Sequence, residues 1–280
     1  FASDAVRGTP DAPYVRGLVE RIHSSHNAIV LDSGELGDPA LRSLIVQALD
    51  LPPAYWGDMW PSLYRLFEQV RQHSTVALSG ESADEVFGGY RWFHDPVAID
   101  AQTFPWLTSV TGKYFDGKTL FDPTLLGQLN MPGFVQDSYS QAVSETPVLA
   151  SEGRTERRMR QMSYLNLTRF VQTLLDRKDR MSMAVGLEVR VPFCDHRLVD
   201  YAFNIPWEMK AFDGREKSIL RAATRDLLPD SIVGRVKSPY PSPQDPAYER
   251  ALRESLAQIM ASDSAPVRAL LDASKVKHTL

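Results

Sequence analysis

Apolar residues return at helical spacing at Val15, Leu18, Val19 and Ile22, behind an Asp11 placed to cap the helix. A short β-rich run, Asn27–Leu31, follows and is closed by Asp32, Ser33 and Gly34. Leu41, Leu44, Ile45, Ala48 and Leu49 then mark a second helix, and Leu63, Leu66, Phe67 and Val70 a third. Thr75–Leu78 reads as a second strand. Apolar strands separated by helices predict parallel pairing under a helical cover. Thr75–Leu78 is therefore expected beside the strand containing Ile29 and Val30. From Pro96 to Ala150 the pattern loosens to a few short helices among Pro, Gly and Asp. Helical periodicity resumes at Tyr164, Leu167, Thr168, Val171, Leu174 and Leu175, and the rest reads as helix and loop. The chain has no internal repeat.

Composition narrows the classes. With 280 residues, 43% of them hydrophobic, the chain can build one large domain or two lobes. Charged residues, at 24%, are at an ordinary globular level. A net charge of −4 gives no electrostatic case for nucleic acid or a membrane surface. The single cysteine, Cys194, excludes a disulfide framework and a cysteine-rich metal site, and fits a reducing cytoplasm. The six histidines show no i,i+4 ligand pair, so no zinc site is expected. No apolar run approaches the ~18 residues of a membrane span. The opening "FASDAVRGTPDAPY" has neither the basic start nor the apolar core of a signal peptide. It also lacks an initiator methionine, and the chain stops within a helical pattern at "KVKHTL". Both ends therefore read as cut from a longer protein.

One stretch carries candidate chemistry. "TVALSGESADEVFGGYRWF" (Thr75–Phe93) crowds acids and glycines where an apolar strand stops. In open parallel sheets ligands bind beyond the carboxyl ends of the strands. Ser79 and Gly80 allow close backbone approach and offer donors to a nucleotide. Asp84 is a hard oxygen ligand suited to Mg²⁺. Glu81 could orient a substrate or move a proton. Gly88 and Gly89 turn the chain. An ordinary helix N-terminus, with Ser79 and Ser82 or Glu81 as its cap, fits the same residues. The basic "EGRTERRMR" (Glu152–Arg160) reads as a solvated helix face in preference to a phosphate patch. Cys194 reads as a small buried side chain.

The whole string resembles the "SGEGxDExFGGY" segment in the synthetase domain of asparagine synthetases. "DRKDRMSMAVGLEVRVPFCDHRLVDYAFNIP" (Asp176–Pro206) and "GREKSILRAATRDLLPDSIVGRVKSPY" (Gly214–Tyr240) resemble two further blocks of that family, in the same order. The likeness covers most of residues 1–245 and is weakest across Phe104–Ser151. It implies an α/β, parallel-sheet ATP-pyrophosphatase (adenine nucleotide alpha hydrolase-like) fold with a large helical extension. Residues 1–100 would form a partial α/β part and residues 101–280 the mainly helical extension. The implied reaction joins ATP to the side-chain carboxylate of aspartate, and ammonia, drawn from glutamine in a full-length parent, then attacks the acyl carbon. By the same resemblance Ser79 and Gly80 contact the nucleotide and Asp84 binds Mg²⁺. Glu81 contacts aspartate or assists the ammonia step. Lys217 offsets charge growing on the phosphates; without the motif it would read as an exposed helical lysine. Glu188 with Arg190, and Asp179 with Arg180, read as buried structural ion pairs. Arg235 and Lys237 fit either a phosphate contact or a surface loop. A homodimer is compatible with the family.

Three departures qualify the resemblance. The family's glutaminase domain, with its N-terminal nucleophilic cysteine, is not in this sequence. Nor is its "SGGxDS" pyrophosphate loop, which would lie shortly before Phe1. The chain by itself is therefore expected to make no asparagine. Ser82 stands where the family usually has glycine, so either the turn differs or that glycine is not essential. An amide or lactam synthetase of natural-product biosynthesis on the same scaffold is a second reading. β-Lactam synthetases of this family carry Tyr where this chain has Glu81, which argues for aspartate. A non-catalytic binding remnant is the third reading, and the retention of Glu81, Asp84 and Lys217 argues against it.

Overall fold

In the computed structural model, residues 11–30, 33–51, 59–108, 120–237 and 246–280 are described. In chain order the main elements are α1 (Ala12–Ile22), α2 (Pro39–Leu49), α3 (Trp60–Arg71), β1 (Val76–Leu78), α4 (Ala83–Phe87), α5 (Met131–Ser144), α6 (Arg154–Leu165), α7 (Val171–Met183), β2 (Glu188–Arg190), α8 (His196–Phe203) and α9 (Ser218–Ala223). A π turn, Asn166–Phe170, separates α6 from α7. The chain is mostly helical, with a small parallel sheet. Two compact units emerge: Phe1–Gly89 with Leu167–Glu249, and Tyr90–Asn166 with Arg250–Leu280. This partition differs from a division at residue 100, and the sheet itself draws on both sides of that position.

The core of the first unit follows from the stripes in the sequence. Pro39 opens α2, and the Asp38 carboxylate accepts the Ala40 N–H at 3.0 Å. Leu41, Ile45 and Leu49, spaced by one helical turn, are buried, while Leu44 stays exposed on the flank. They pack with Trp60, Leu63, Tyr64 and Phe67 of α3, and with Met181 and Leu187. Asp11 precedes α1 without a side-chain cap bond, because its own backbone is helical. Its carboxylate pairs instead with Arg235, whose guanidinium lies 4.5 Å from the centroid of the Tyr14 ring.

β1 forms where expected, but its partner is not the segment containing Ile29 and Val30. It pairs in parallel with β2, in the register Val76↔Glu188, Ala77↔Val189, Leu78↔Arg190. Residues 27–30 form no strand, and Val30 is 70% exposed. The choice of partner has a physical cause. α7 packs against α2, α3 and β2. Gly186 then takes φ 73, which only glycine adopts without strain, and turns the chain back. Fully buried Leu187 enters the core beside Ala77 and Val189. Arg71 Nε donates to Gly186 O at 2.9 Å and fixes that turn.

A second cluster in the same unit seats Val86 and Phe87 of α4 against Ala202, with Phe193, Leu198, Ile219 and Leu220 around them. Phe87 and Phe193 meet edge to face, with centroids 6.1 Å apart. This packing holds the short α4, which carries Asp84, against the elements around α8 and α9.

The other unit centres on Phe104, Tyr139, Ala142 and Leu165. Arg158 donates to the carbonyls of Ile99 (2.6 Å) and Ala101 (2.7 Å) and to the Tyr139 hydroxyl (2.9 Å). Arg160 pairs with Glu152. The basic run is therefore a solvated face only at residues such as Arg154 and Arg157; Arg158 and Arg160 tie internal backbone and side chains together. Among the described residues no helix is long and apolar enough to cross a membrane.

Candidate functional site

β1 delivers the Ser79 turn. The ladder continues one residue past the strand, with Ser79 N–H donating to Arg190 O at 2.9 Å. Ser79 does not cap a helix. Its hydroxyl accepts the Glu81 N–H at 3.2 Å and closes a tight local turn. Gly80, between them, is exposed, and a side chain there would meet nothing within 4 Å. The peptide group at this position is therefore open to a ligand.

Ser82 answers the question its identity raised. It adopts φ 75, so the turn keeps the left-handed shape that suits glycine. For a serine this costs on the order of 1 kcal/mol. Ser82 is buried, and its hydroxyl accepts the Cys194 thiol at 2.7 Å. Cys194 is half-buried rather than buried. Burial pushes its thiol pKa up; the bond to Ser82 works against this, and the nearby carboxylates of Glu85 and Glu81 add to the rise. It is a hydrogen-bond donor to the Ser82 turn.

α4 follows, and its C-terminal glycines are matched to Asp84. A Cβ on Gly89 would lie 1.9 Å from Asp84 Oδ1 and 2.8 Å from Asp84 Cα. Gly88, at φ 67, caps the helix in the left-handed region. The Asp84 carboxylate sits between two ammonium groups: Lys217 Nζ lies 2.7 Å from Oδ1, and Lys237 pairs with Oδ2. Lys217 itself is held at φ 56, at the start of α9. Strained non-glycine backbone of this kind persists where the surroundings over-determine it. Glu216 joins the network, bonding Arg221 at 2.5 Å and the Lys237 N–H at 3.1 Å.

Burial works to raise the Asp84 pKa, but the attraction of Lys217 and then Lys237 outweighs it and holds the carboxyl below its usual range. A depressed folded pKa stabilises the fold at pH values above the unfolded one, near 3.8. That stability is lost as pH falls further, through the folded value. The gap in unfolding midpoint between the natural protein and Asp84→Asn should therefore be constant from neutrality into mild acid and shrink below pH 3.8. A gap that stays constant in strong acid contradicts this account of Asp84.

Glu81 has its own cation, which the sequence reading did not single out. Lys178 Nζ lies 2.9 Å from Glu81 Oε2 and donates to Ser79 Oγ at 2.9 Å. The signal was available: Lys178 falls on the same stripe of α7 as buried Val171, Leu174 and Met181. A lysine on an inward stripe needs an acidic partner.

Several sequence expectations are corrected. Glu188 and Arg190 do pair, at 2.8 Å, but on an exposed surface of β2 rather than in the interior. Arg180 pairs with Asp176 at 3.4 Å, not with Asp179, and that pair is also exposed. Lys237 is more than a plain loop residue, since its ammonium pairs with Oδ2 of Asp84 and completes that cluster.

The fold thus brings Ser79, Gly80, Glu81, Asp84 and Lys217 to one turn beyond a parallel strand and adds Lys178 and Lys237. Such an arrangement can hold an anion on lysines and peptide N–H groups while two carboxylates orient a cationic or proton-bearing group. Among the described residues no group of three or more His, Cys, Asp or Glu side chains could hold a metal.

Comparison with known proteins gives the same direction. The chain matches the asparagine synthase family over residues 1–280. It is 39% identical over 281 aligned positions to asparagine synthetase [glutamine-hydrolyzing] 3 of Bacillus subtilis, covering 100% of this chain and 44% of that protein. It is 28% identical over 209 positions to asparagine synthetase [glutamine-hydrolyzing] 1 of the same organism, covering 65% of this chain and 33% of that protein. Against the human asparagine synthetase [glutamine-hydrolyzing] the identity is 26% over 239 positions, covering 83% of this chain and 32% of that protein. The chain thus spans less than half the length of these relatives. By the match along its whole length, it belongs to the asparagine synthase family.

Proposed function

We propose that the chain carries the synthetase site of an ATP-dependent, asparagine-forming ligase, working in the cytoplasm on an ATP-pyrophosphatase scaffold. The observation that supports this best is the Asp84 cluster, with its two lysines, at the open turn beyond β1 in a member of this family. In the first half-reaction a side-chain carboxylate oxygen of aspartate forms a bond to the α-phosphorus of ATP. The bond to the bridging oxygen breaks, and pyrophosphate leaves with the electron pair. Ser79 and the Gly80 peptide bind the nucleotide, and Lys217 offsets the charge gathering on the departing phosphates. In the second half, the nitrogen of ammonia bonds to the acyl carbon and AMP leaves. The Glu81 carboxylate takes the proton released from nitrogen. The relatives named as glutamine-hydrolysing suggest glutamine as the ammonia source.

Mg²⁺ fits this site through one protein ligand. Asp84 is a hard oxygen donor held ionised, and the two ammonium groups on it together match the charge of a dication. Mg²⁺ is commonly held by one or two carboxylates together with substrate phosphates and water. Bound there, it would supply further neutralisation of phosphate charge. The protein side needs only Asp84 to release its lysines toward the substrate.

The test is exchange of labelled pyrophosphate into ATP by the protein as encoded. Exchange should require aspartate and proceed without ammonia. Exchange that is equal with glutamate or with no amino acid would overturn the assignment.

A further inference from the structure

The inward stripe of α7 carries one residue that packing alone does not call for. Val171, Leu174 and Met181 are buried on it, and Lys178 shares their face. Burying an ammonium is costly unless it is paired and hydrogen-bonded. Here the pairing is specific: Lys178 and Glu81 have side chains only 13% and 19% exposed, with nitrogen and oxygen 2.9 Å apart. The same nitrogen donates to the Ser79 hydroxyl, which in turn accepts the Glu81 N–H. Lys178 thus fastens both ends of the Ser79–Glu81 turn from a helix anchored in the core. It occupies Oε2 of Glu81, and among the described residues no group takes Oε1. A carboxylate on an unfastened surface turn would sample several rotamers; this one is held to one.

We propose that Lys178 is the positioning residue for Glu81. It fixes the carboxylate so that Oε1 faces the proton to be removed when ammonia attacks the acyl carbon. The inference rests on the amide-forming role given to Glu81 above. Lys178 does not touch the reacting atoms and acts only through that carboxylate.

A mutant cycle in the protein as encoded tests this: Lys178→Met, Glu81→Gln and the double variant, with Lys178→Arg as the conservative change. Asparagine formation at saturating ammonia is measured beside pyrophosphate exchange and thermal unfolding. Misplacing a catalytic group by about 1 Å can cost ~10²-fold in rate, so a kcat loss of that order is expected for Lys178→Met. Lys178→Arg, which keeps a cation, should recover part of it. In the Glu81→Gln background Lys178→Met should have no further effect. Equal losses in both backgrounds, or no loss in the single variant, overturn the inference. If Lys178→Met fails to fold, Lys178→Gln runs the same cycle. A natural protein without aspartate-dependent exchange overturns the proposed function itself, an outcome distinct from a failed cycle.

Discussion

Lys217→Ala is expected to lower the rate of aspartate adenylation by ~10²–10³, the typical loss on deleting one positioned electrostatic stabiliser. Its effect on ATP binding should be small. In the ground state the nucleotide can be held by Ser79, the open Gly80 peptide and Lys237. The extra charge that Lys217 must meet appears only as pyrophosphate departs. The structure places its ammonium 2.7 Å from Asp84, so this lysine is held in one position before substrate arrives. Lys217→Arg should rescue poorly, because a planar fork cannot replace a compact ammonium seated on one oxygen of Asp84. Lys217→Gly separates stability from chemistry. At φ 56 glycine escapes the strain that lysine and alanine share. The glycine variant should therefore be more stable than Lys217→Ala by about 1 kcal/mol, yet equally slow. Pyrophosphate exchange and thermal unfolding on the three variants decide it. Intact exchange with only a raised ATP constant would make Lys217 a binding residue.

Gly89→Ala is expected to be the most damaging small substitution near the site. The added Cβ would sit 1.9 Å from Asp84 Oδ1, which a side-chain rotation could relieve. It would also sit 2.8 Å from Asp84 Cα, which no rotation relieves. The Gly89 N–H bonds the Asp84 carbonyl at 2.7 Å, so the end of α4 must open for the methyl to fit. Overpacking of this kind costs about 1–3 kcal/mol. The displaced carboxylate would let both lysines drift, with a rate loss of ~10² or more. Gly127→Ala is the control, since a Cβ at Gly127 meets nothing within 4 Å inside its helix. It should hold or raise stability. If Gly89→Ala keeps both the unfolding midpoint and the exchange rate, the close fit around Asp84 has no functional weight.

Much of this was legible from residue order. The burial of Leu41, Ile45 and Leu49 follows from their spacing, and β1 from four apolar or β-branched residues before a polar turn. The partner of β1 was not legible, for a physical reason. β2 is only three residues long, and its Val189 is no more than half-buried, so its alternation is too short to stand out, whereas Asn27–Leu31 looks like a strand. Pairing was decided by Leu187 and Gly186, which bring that short segment under α7. The site's acids could be named in advance because they lie within six residues of one another. Their cations come from 97, 133 and 153 positions away, at Lys178, Lys217 and Lys237. Resemblance supplied Lys217. Lys178 could have been found as a charge on an apolar stripe. Lys237 has no local signal, since its role exists only once the fold brings it to Asp84.

The central claim is that this site activates the side-chain carboxylate of aspartate by adenylation. The most direct measurement follows the oxygen atoms. Aspartate carrying heavy oxygen in its side-chain carboxylate is turned over by the protein as encoded with ATP and ammonia, and the AMP is weighed by mass spectrometry. Attack of the carboxylate on the α-phosphorus predicts one labelled oxygen in each AMP formed per asparagine. Unlabelled AMP, or label found only in inorganic phosphate, would contradict the account.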